Sequence, residues 1–294
     1  MPAPVPLTPL DRAYPSRLRC LDDPPASLTT RGGPLEARHA VAVVGSRDAD
    51  GRALRFAFDL ARALARAEVV VVSGGAKGID AAAHRGALDA RGRTWSVAAT
   101  GHEHCYPKTH AKLFETIGRG PGAMLWPFAP EYRHRTAFLS RNGVLVAMAD
   151  AVVVVQAGPD SGALHAASCA RRLRRPLWVV PVAPWSQEKD AFAGSLQLLG
   201  EGARALTSAD VLLASLGIPV ESATEPAEAR LAAPAFRVES KLLSVISNVP
   251  QHVDALSAQA GQTVQAVTAE VLTLALENVV VEGPPGFFRR RESV

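Results

Sequence analysis

"VVVVSGGAKGID", Val69 to Asp80, runs four valines into a loop of three glycines and one lysine that closes on an acid. A continuous apolar run of this length suits a strand buried on both faces, the condition of a parallel sheet covered by helices. Glycine at the strand-to-helix turn opens backbone angles closed to other residues and lets N–H groups approach an anion. The glycines fall at 74, 75 and 78, which is neither G-x-G-x-x-G spacing nor the G-x-x-x-x-G-K-[ST] loop. Two common cofactor readings weaken, leaving a bare tight turn, or a cradle for some other phosphate.

Working outward, "AVAVVG", "WSVAA", "AMLW", "AVVVVQ" and "LWVVP" are further strand candidates. Helices are predicted near 52–67, 78–91, 138–148 and 161–173. This alternation predicts an α/β fold, Rossmann-like, with a mostly parallel sheet carrying helices on both faces. Residues 1–38 read as a lead-in segment and 39–217 as the Rossmann-like domain. Residues 218–234, rich in Ala, Pro and Glu, read as a linker. From 235 to 294 the pattern is helix, break at Pro250, helix to Gly261, longer helix and a strand pair around "GPPG", the order of a small winged-helix domain.

The chain of 294 residues has a net charge of +4 that hides an asymmetry. Residues 219–288 carry three basic and eight acidic side chains, and 289–294 add +2, so residues 1–218 carry +7. A polyanion is therefore expected on the front of the chain, because counterion release by Lys and Arg supplies most non-specific nucleic-acid affinity. From Leu242 to Phe288 there is no Lys or Arg, so the winged helix reads mainly as a protein-interaction module, with only Arg289, Arg290 and Arg291 able to meet DNA. Three scattered cysteines, Cys20, Cys105 and Cys169, argue against a disulfide framework, and no secretory signal or membrane span is evident, so a cytoplasmic location is expected.

Ligands of a parallel α/β sheet sit beyond the carboxyl ends of its strands. Three such ends are polar or glycine-rich: Gly45, Ser46 and Arg47; Ser73, Gly74, Gly75, Lys77 and Gly78; and Ser161 with Gly162. Together they suggest one anion-binding face. Phe138 among Arg133, Arg135 and Arg141 is the mix of cation and ring that single-stranded nucleic acid uses, although a lone Phe before an apolar helix is more often core. Asp80 and His84 stand four apart on a helix, as an acid/base pair or as loop supports, the second being favoured. "GHEHCYPKTH" holds metal-binding residue types at spacing wrong for structural zinc, so no metal site is expected.

These motifs together resemble the DNA-processing protein A family, also called DprA or Smf. "YPSRLRCLDDPPASLTTRG" resembles its lead-in, "VAVVGSR" its first strand and loop, and "SGGAKGIDAAAHRGAL" its S-G-x-A-x-G-I-D-x-x-A-H-x-x-A-L signature. "YPKTHAKLFETI" is similar to its Y-P motif, and "FLSRNGVLVAMADAVVVVQAGPDSGALHAA" to its F-P-x-R-N-R helix and following strand and turn. Gly143 stands in place of the second arginine of that pattern, and Gln156 in place of a glutamate. The resemblance implies a homodimeric, cytoplasmic protein that binds single-stranded DNA and loads the recombinase RecA in natural transformation, without cofactor or catalytic residues. By motif, Gly45, Ser46, Arg47, Ser73 to Gly78, Phe138, Arg141, Asn142, Ser161 and Gly162 would line the DNA pocket. Arg47, Lys77 and Arg141 would meet phosphates, Phe138 would stack on a base, and Asp80 and His84 would hold the loops.

The competing expectation is a nucleotide-binding or nucleotide-hydrolysing enzyme related to the lysine-decarboxylase-like phosphoribohydrolases. Those use a P-G-G-x-G-T loop and a downstream glutamate, where this chain has "AGPDSGALHAA" and no acid expected in position to act.

Overall fold

A computed structural model describes residues 3–134, 136–181, 190–219, 242, 245–276, 280–283 and 287–290. The chain divides into two compact units, residues 1–220 and 221–294. The expected linker from residue 220 onward, most of the first winged-helix helix, Arg135 and Arg291 lie outside the described residues.

The first unit runs β1 (Val5–Leu7), β2 (Leu28–Gly32), β3 (Ala40–Val44), α1 (Gly51–Arg66), β4 (Val70–Ser73), α2 (Ile79–Asp89), β5 (Thr94–Val97), α3 (Ala111–Arg119) and β6 (Ala123–Trp126). It continues with α4 (Ala137–Ala147), β7 (Ala151–Val154), α5 (Gly162–Arg172), β8 (Leu177–Val179), α6 (Ala193–Gly200), β9 (Arg204–Ala205) and α7 (Ala209–Ser215). One sheet in the order β1-β2-β6-β5-β4-β3-β7-β8-β9 is parallel from β6 to β9, and β1 and β2 pair antiparallel on its edge.

The parallel strands from β6 to β8 are buried on both faces because both are covered, while β9 at the edge is exposed. α1, α2 and α7 pack on one side through Leu60, Leu64, Ala83 and Leu212, and α4 and α5 on the other through Leu145, Ala163 and Ala167. Burying a Leu or Val side chain is worth about 1.5–3 kcal/mol, so the continuous apolar runs stabilise this layering directly.

The lead-in residues extend the same sheet. Leu18, in a short 3-10 turn, is fully buried, and Arg17 forks onto both carboxylate oxygens of Asp150, at 2.5 and 3.0 Å. Asp150 also accepts a hydrogen bond from the N–H of Ala40 at 2.8 Å, so one carboxylate ties the lead-in to the start of β3.

In the second unit, β10 (Gln251–His252), α8 (Val253–Ala260), α9 (Val264–Leu276), β11 (Val280–Glu282) and β12 (Phe287–Arg290) form two helices and a three-stranded antiparallel sheet in the order β10-β12-β11. Gly261 ends α8 at φ 63°, a left-handed cap that favours glycine. Among the described residues no helix is long and apolar enough to cross a membrane.

Candidate functional site

β3 and β7 lie side by side, yet the helix after β3 packs on one face of the sheet and the helix after β7 on the other. The chain therefore parts at their carboxyl ends, and a cleft of about 500 Å³ opens there. Its walls are the turn after β3 (Val44 to Asp48), the turn before α5 (Gly158 to Gly162) and the start of α4 (Phe138 to Asn142).

Gln156 holds the two turns together. Its carbonyl accepts from the N–H of Ser46 at 2.7 Å, and its side-chain oxygen accepts from the N–H of Asp50 at 3.0 Å. Asp50 in turn caps α1 by accepting from Ala53 at 2.8 Å, and Ser161 caps α5. Two helix N-termini thus converge on the cleft, an arrangement that favours anions.

At the mouth, the exposed guanidinium of Arg47 lies 4.6 Å above the ring of Phe138, and Tyr106 meets the same ring edge-on at 5.4 Å. Tyr106 is half exposed, so cation and rings form a stepped surface open to solvent. Asn142 donates to the carbonyl of Gly162 at 3.2 Å, joining α4 to the turn before α5.

Beneath this surface lies a buried polar layer. Arg141, expected at the phosphates, is only 6% exposed: it donates to the carbonyl of Val97 at 2.8 Å and pairs with Asp80 at 3.8 Å. Burial pushes the Asp80 carboxyl up, against the pull of Arg141 and of a hydrogen bond from the N–H of Ala76. The same burial lowers the Arg141 guanidinium, with Asp80 opposing. Asp80 therefore does support the glycine loop, through Ala76.

His84 supports strands rather than loops, a correction to its expected role. Its Nδ1 lies 2.7 Å from the hydroxyl of Thr94, which donates to the carbonyl of Val71. The hydroxyl proton is thereby used, so Nδ1 carries the ring proton and donates. Nε2 is buried with no partner, and burial, reinforced by Arg141 and His110, lowers the imidazole to about 3.

Ser73, Gly74, Gly75, Lys77 and Gly78 do not line the cleft. Ser73 is turned inward, its hydroxyl donating to the carbonyl of Val43 at 2.7 Å. Gly74 and Gly78 are there for close approach: a Cβ on Gly78 would stand 2.2 Å from the carbonyl oxygen of Ser46. Gly78 also holds φ 77° and Gly75 φ 72°. Lys77 is exposed outside the cleft. Position 143, where the resemblance has arginine, packs beside Leu21 and Arg172 and is likewise outside it.

Two carboxylates not singled out in the sequence, Asp48 and Asp160, are exposed along the cleft. The lining as a whole is therefore not cationic. Tyr106 and Gln156 lay within family motifs, but the motifs gave them no role at the cleft, and neither aspartate was singled out. The histidines of "GHEHCYPKTH" diverge: His104 meets the carbonyl of Glu131, His110 that of Gly75, and His102 the edge of Trp126.

The family model described as DNA recombination-mediator protein A matches residues 6–217, and that described as DprA winged helix domain matches 225–286. A Mycobacterium tuberculosis protein provisionally named DNA processing protein DprA is 43% identical over 182 residues, 62% of this chain. The chain spans about half the length of the curated relatives it matches, 46% for that one. The solved DNA processing protein A from Streptococcus pneumoniae matches with TM-score 0.66 at 32% identity, covering 71% of this chain and 73% of that one. The Helicobacter pylori protein, described for its single-stranded DNA binding mode, matches with TM-score 0.63 at 28% identity, covering 69% and 92%.

Proposed function

The chain belongs to the DNA recombination-mediator protein A family, and from that premise we propose that it binds single-stranded DNA at the β3/β7 cleft and passes the strand to the recombinase RecA in natural transformation. The observation that carries the reading is the stack of Arg47 on Phe138 at the cleft mouth. A base can stack on the free face of the guanidinium or take its place on the ring, and in both cases Arg47 stays within reach of a flanking phosphate.

The backbone N–H groups of Gly45 and Gly162 and the hydroxyl of Ser161 supply neutral donors beside it, while Ser46 and Asn142 brace the two turns through Gln156 and Gly162. Arg141 and Asp80 act from below by fixing the glycine loop beneath the cleft, and Gln156 joins the turns that carry the donors. The protein works as a cytoplasmic homodimer, as a binding protein rather than an enzyme, and the winged helix serves protein contacts.

Fluorescence anisotropy of a labelled oligothymidylate at several salt concentrations tests this. Tight, salt-dependent binding that Arg47→Ala abolishes is expected. A mononucleotide that competes as well as the polymer would overturn it.

A further inference from the structure

The positive charge of the first unit is not at the β3/β7 cleft, where Arg47 and Arg141 stand against Asp48, Asp80 and Asp160. A cluster of arginines lies instead at the opposite ends of the strands. There a concavity of about 870 Å³ sets Arg38, Arg66, Arg91 and Arg93 against a single carboxylate, Glu68. Among the described residues none of the four arginines is ion-paired.

Arginines often end helices merely to neutralise the exposed carbonyls, and Arg66 and Arg91 do follow α1 and α2 in that way. Arg38 and Arg93 have no helix end to serve: they stand just before β3 and β5. Arg91 also holds φ 55° one position past the cap of α2, where a left-handed backbone favours glycine. No Phe, Tyr or Trp lines the concavity, so it offers charge without a stacking surface.

We infer that this concavity is a second anion tract, taking the sugar-phosphate backbone of single-stranded nucleic acid without regard to sequence. The inference rests on the nucleic-acid reading above and adds a site at the other end of the sheet. Strands too short to span both sites would be held at the β3/β7 cleft alone.

The test uses the full chain and labelled oligothymidylates of about 6 nucleotides, within the ~4–16 that one site commonly spans, and of about 40, well beyond it. Salt titrations compare wild type, Arg47→Ala and the double variant Arg66→Gln/Arg91→Gly. Arg91→Gly relieves the left-handed backbone, so a thermal melt at or above the wild-type midpoint is expected and separates lost binding from lost folding. The double variant should bind the short strand as wild type does. On the long strand the slope of log K against log salt should shrink by about 1.4, at 0.7 per lost phosphate contact. An unchanged slope on the long strand overturns the second tract. Short-strand binding that survives Arg47→Ala overturns the cleft reading instead, while the slope change still reports the tract. A wild type that binds neither length overturns both.

Discussion

The guanidinium of Arg141 occupies the space a side chain on Gly74 would need: a Cβ there would stand 1.6 Å from Nη1. A flexible side chain could ordinarily swing aside, but this one is pinned by Val97 and Asp80 in a buried layer. Gly74→Ala must break one or both contacts, and a lost hydrogen bond to a charged group costs about 1.5–3 kcal/mol. Urea unfolding should show a loss of that order. A loss below about 0.5 kcal/mol would mean the arginine is free to move.

Removing Arg141 itself leaves Asp80 buried without its cation. Arg141→Met should cost about 3–5 kcal/mol, the usual result of breaking a buried pair from one side. Arg141→Met/Asp80→Asn should recover part of it, because the uncompensated charge is gone. Equal losses in the single and double variants would deny the coupling.

Protons act on the same layer. The imidazole of His84, held to about 3 by burial and its charged neighbours, stays neutral in the fold while the unfolded chain takes up its proton near 6.5. Between those values the unfolded state binds more protons, so this group's stabilisation is complete above 6.5 and fades as pH falls, by roughly 1 kcal/mol per unit at the steepest. Asp80 works the other way: its raised carboxyl adds stability below the usual 3.8 and loses it as pH rises through the folded value. His84→Gln should therefore flatten the acid side of the stability curve, measured by urea midpoints. A variant whose pH dependence matched wild type would show that His84 does not carry it.

The alternation of buried strands and helices was legible because β3, β4 and β7 are continuous valine and alanine runs, as a doubly covered sheet requires. The edge strand β1 and its neighbour β2 were not, since "VPL" is three residues around a proline and "LTTRG" is short and largely polar. α3 escaped notice too, because its amphipathic pattern spans only nine residues and follows directly on the polar loop "GHEHCYPKTH". At the cleft mouth, Arg47 could be placed from its turn at a strand end, whereas residue type alone favoured the core for Phe138, which the family motif brought to the site. The inward turn of Arg141 could not: it depends on the missing side chain of Gly74, a contact between elements 67 residues apart in number. The role of Gln156, as distinct from its place in the motif, became visible only once β3 and β7 were seen to be neighbours.

Phe138 and Arg47 should separate into two signatures. Phe138→Ala removes the ring that a base would use, worth about 1–3 kcal/mol of affinity per stacked base, with little change in salt dependence. Arg47→Gln should weaken binding and also lower the salt slope by about 0.7, one phosphate contact on a single strand. The same slope change in both variants would mean that the ring only positions the arginine.

Asp160 presents the sharpest test of what enters the cleft. It is exposed on the turn before α5, across from Arg47, and a polyphosphate passing between them would meet a like charge. If phosphates run past it, Asp160→Asn should raise affinity for a labelled single strand by a few-fold at low salt, an effect on the scale of ~0.2–1 kcal/mol for exposed charges. The gain should fade in high salt, where the Debye length drops to about 3 Å at 1 M. A fall in affinity would mean that the carboxylate accepts a hydrogen bond from the ligand. Because a phosphate oxygen has no proton to give, that outcome would place a base edge at Asp160 and route the backbone along the Arg47 wall.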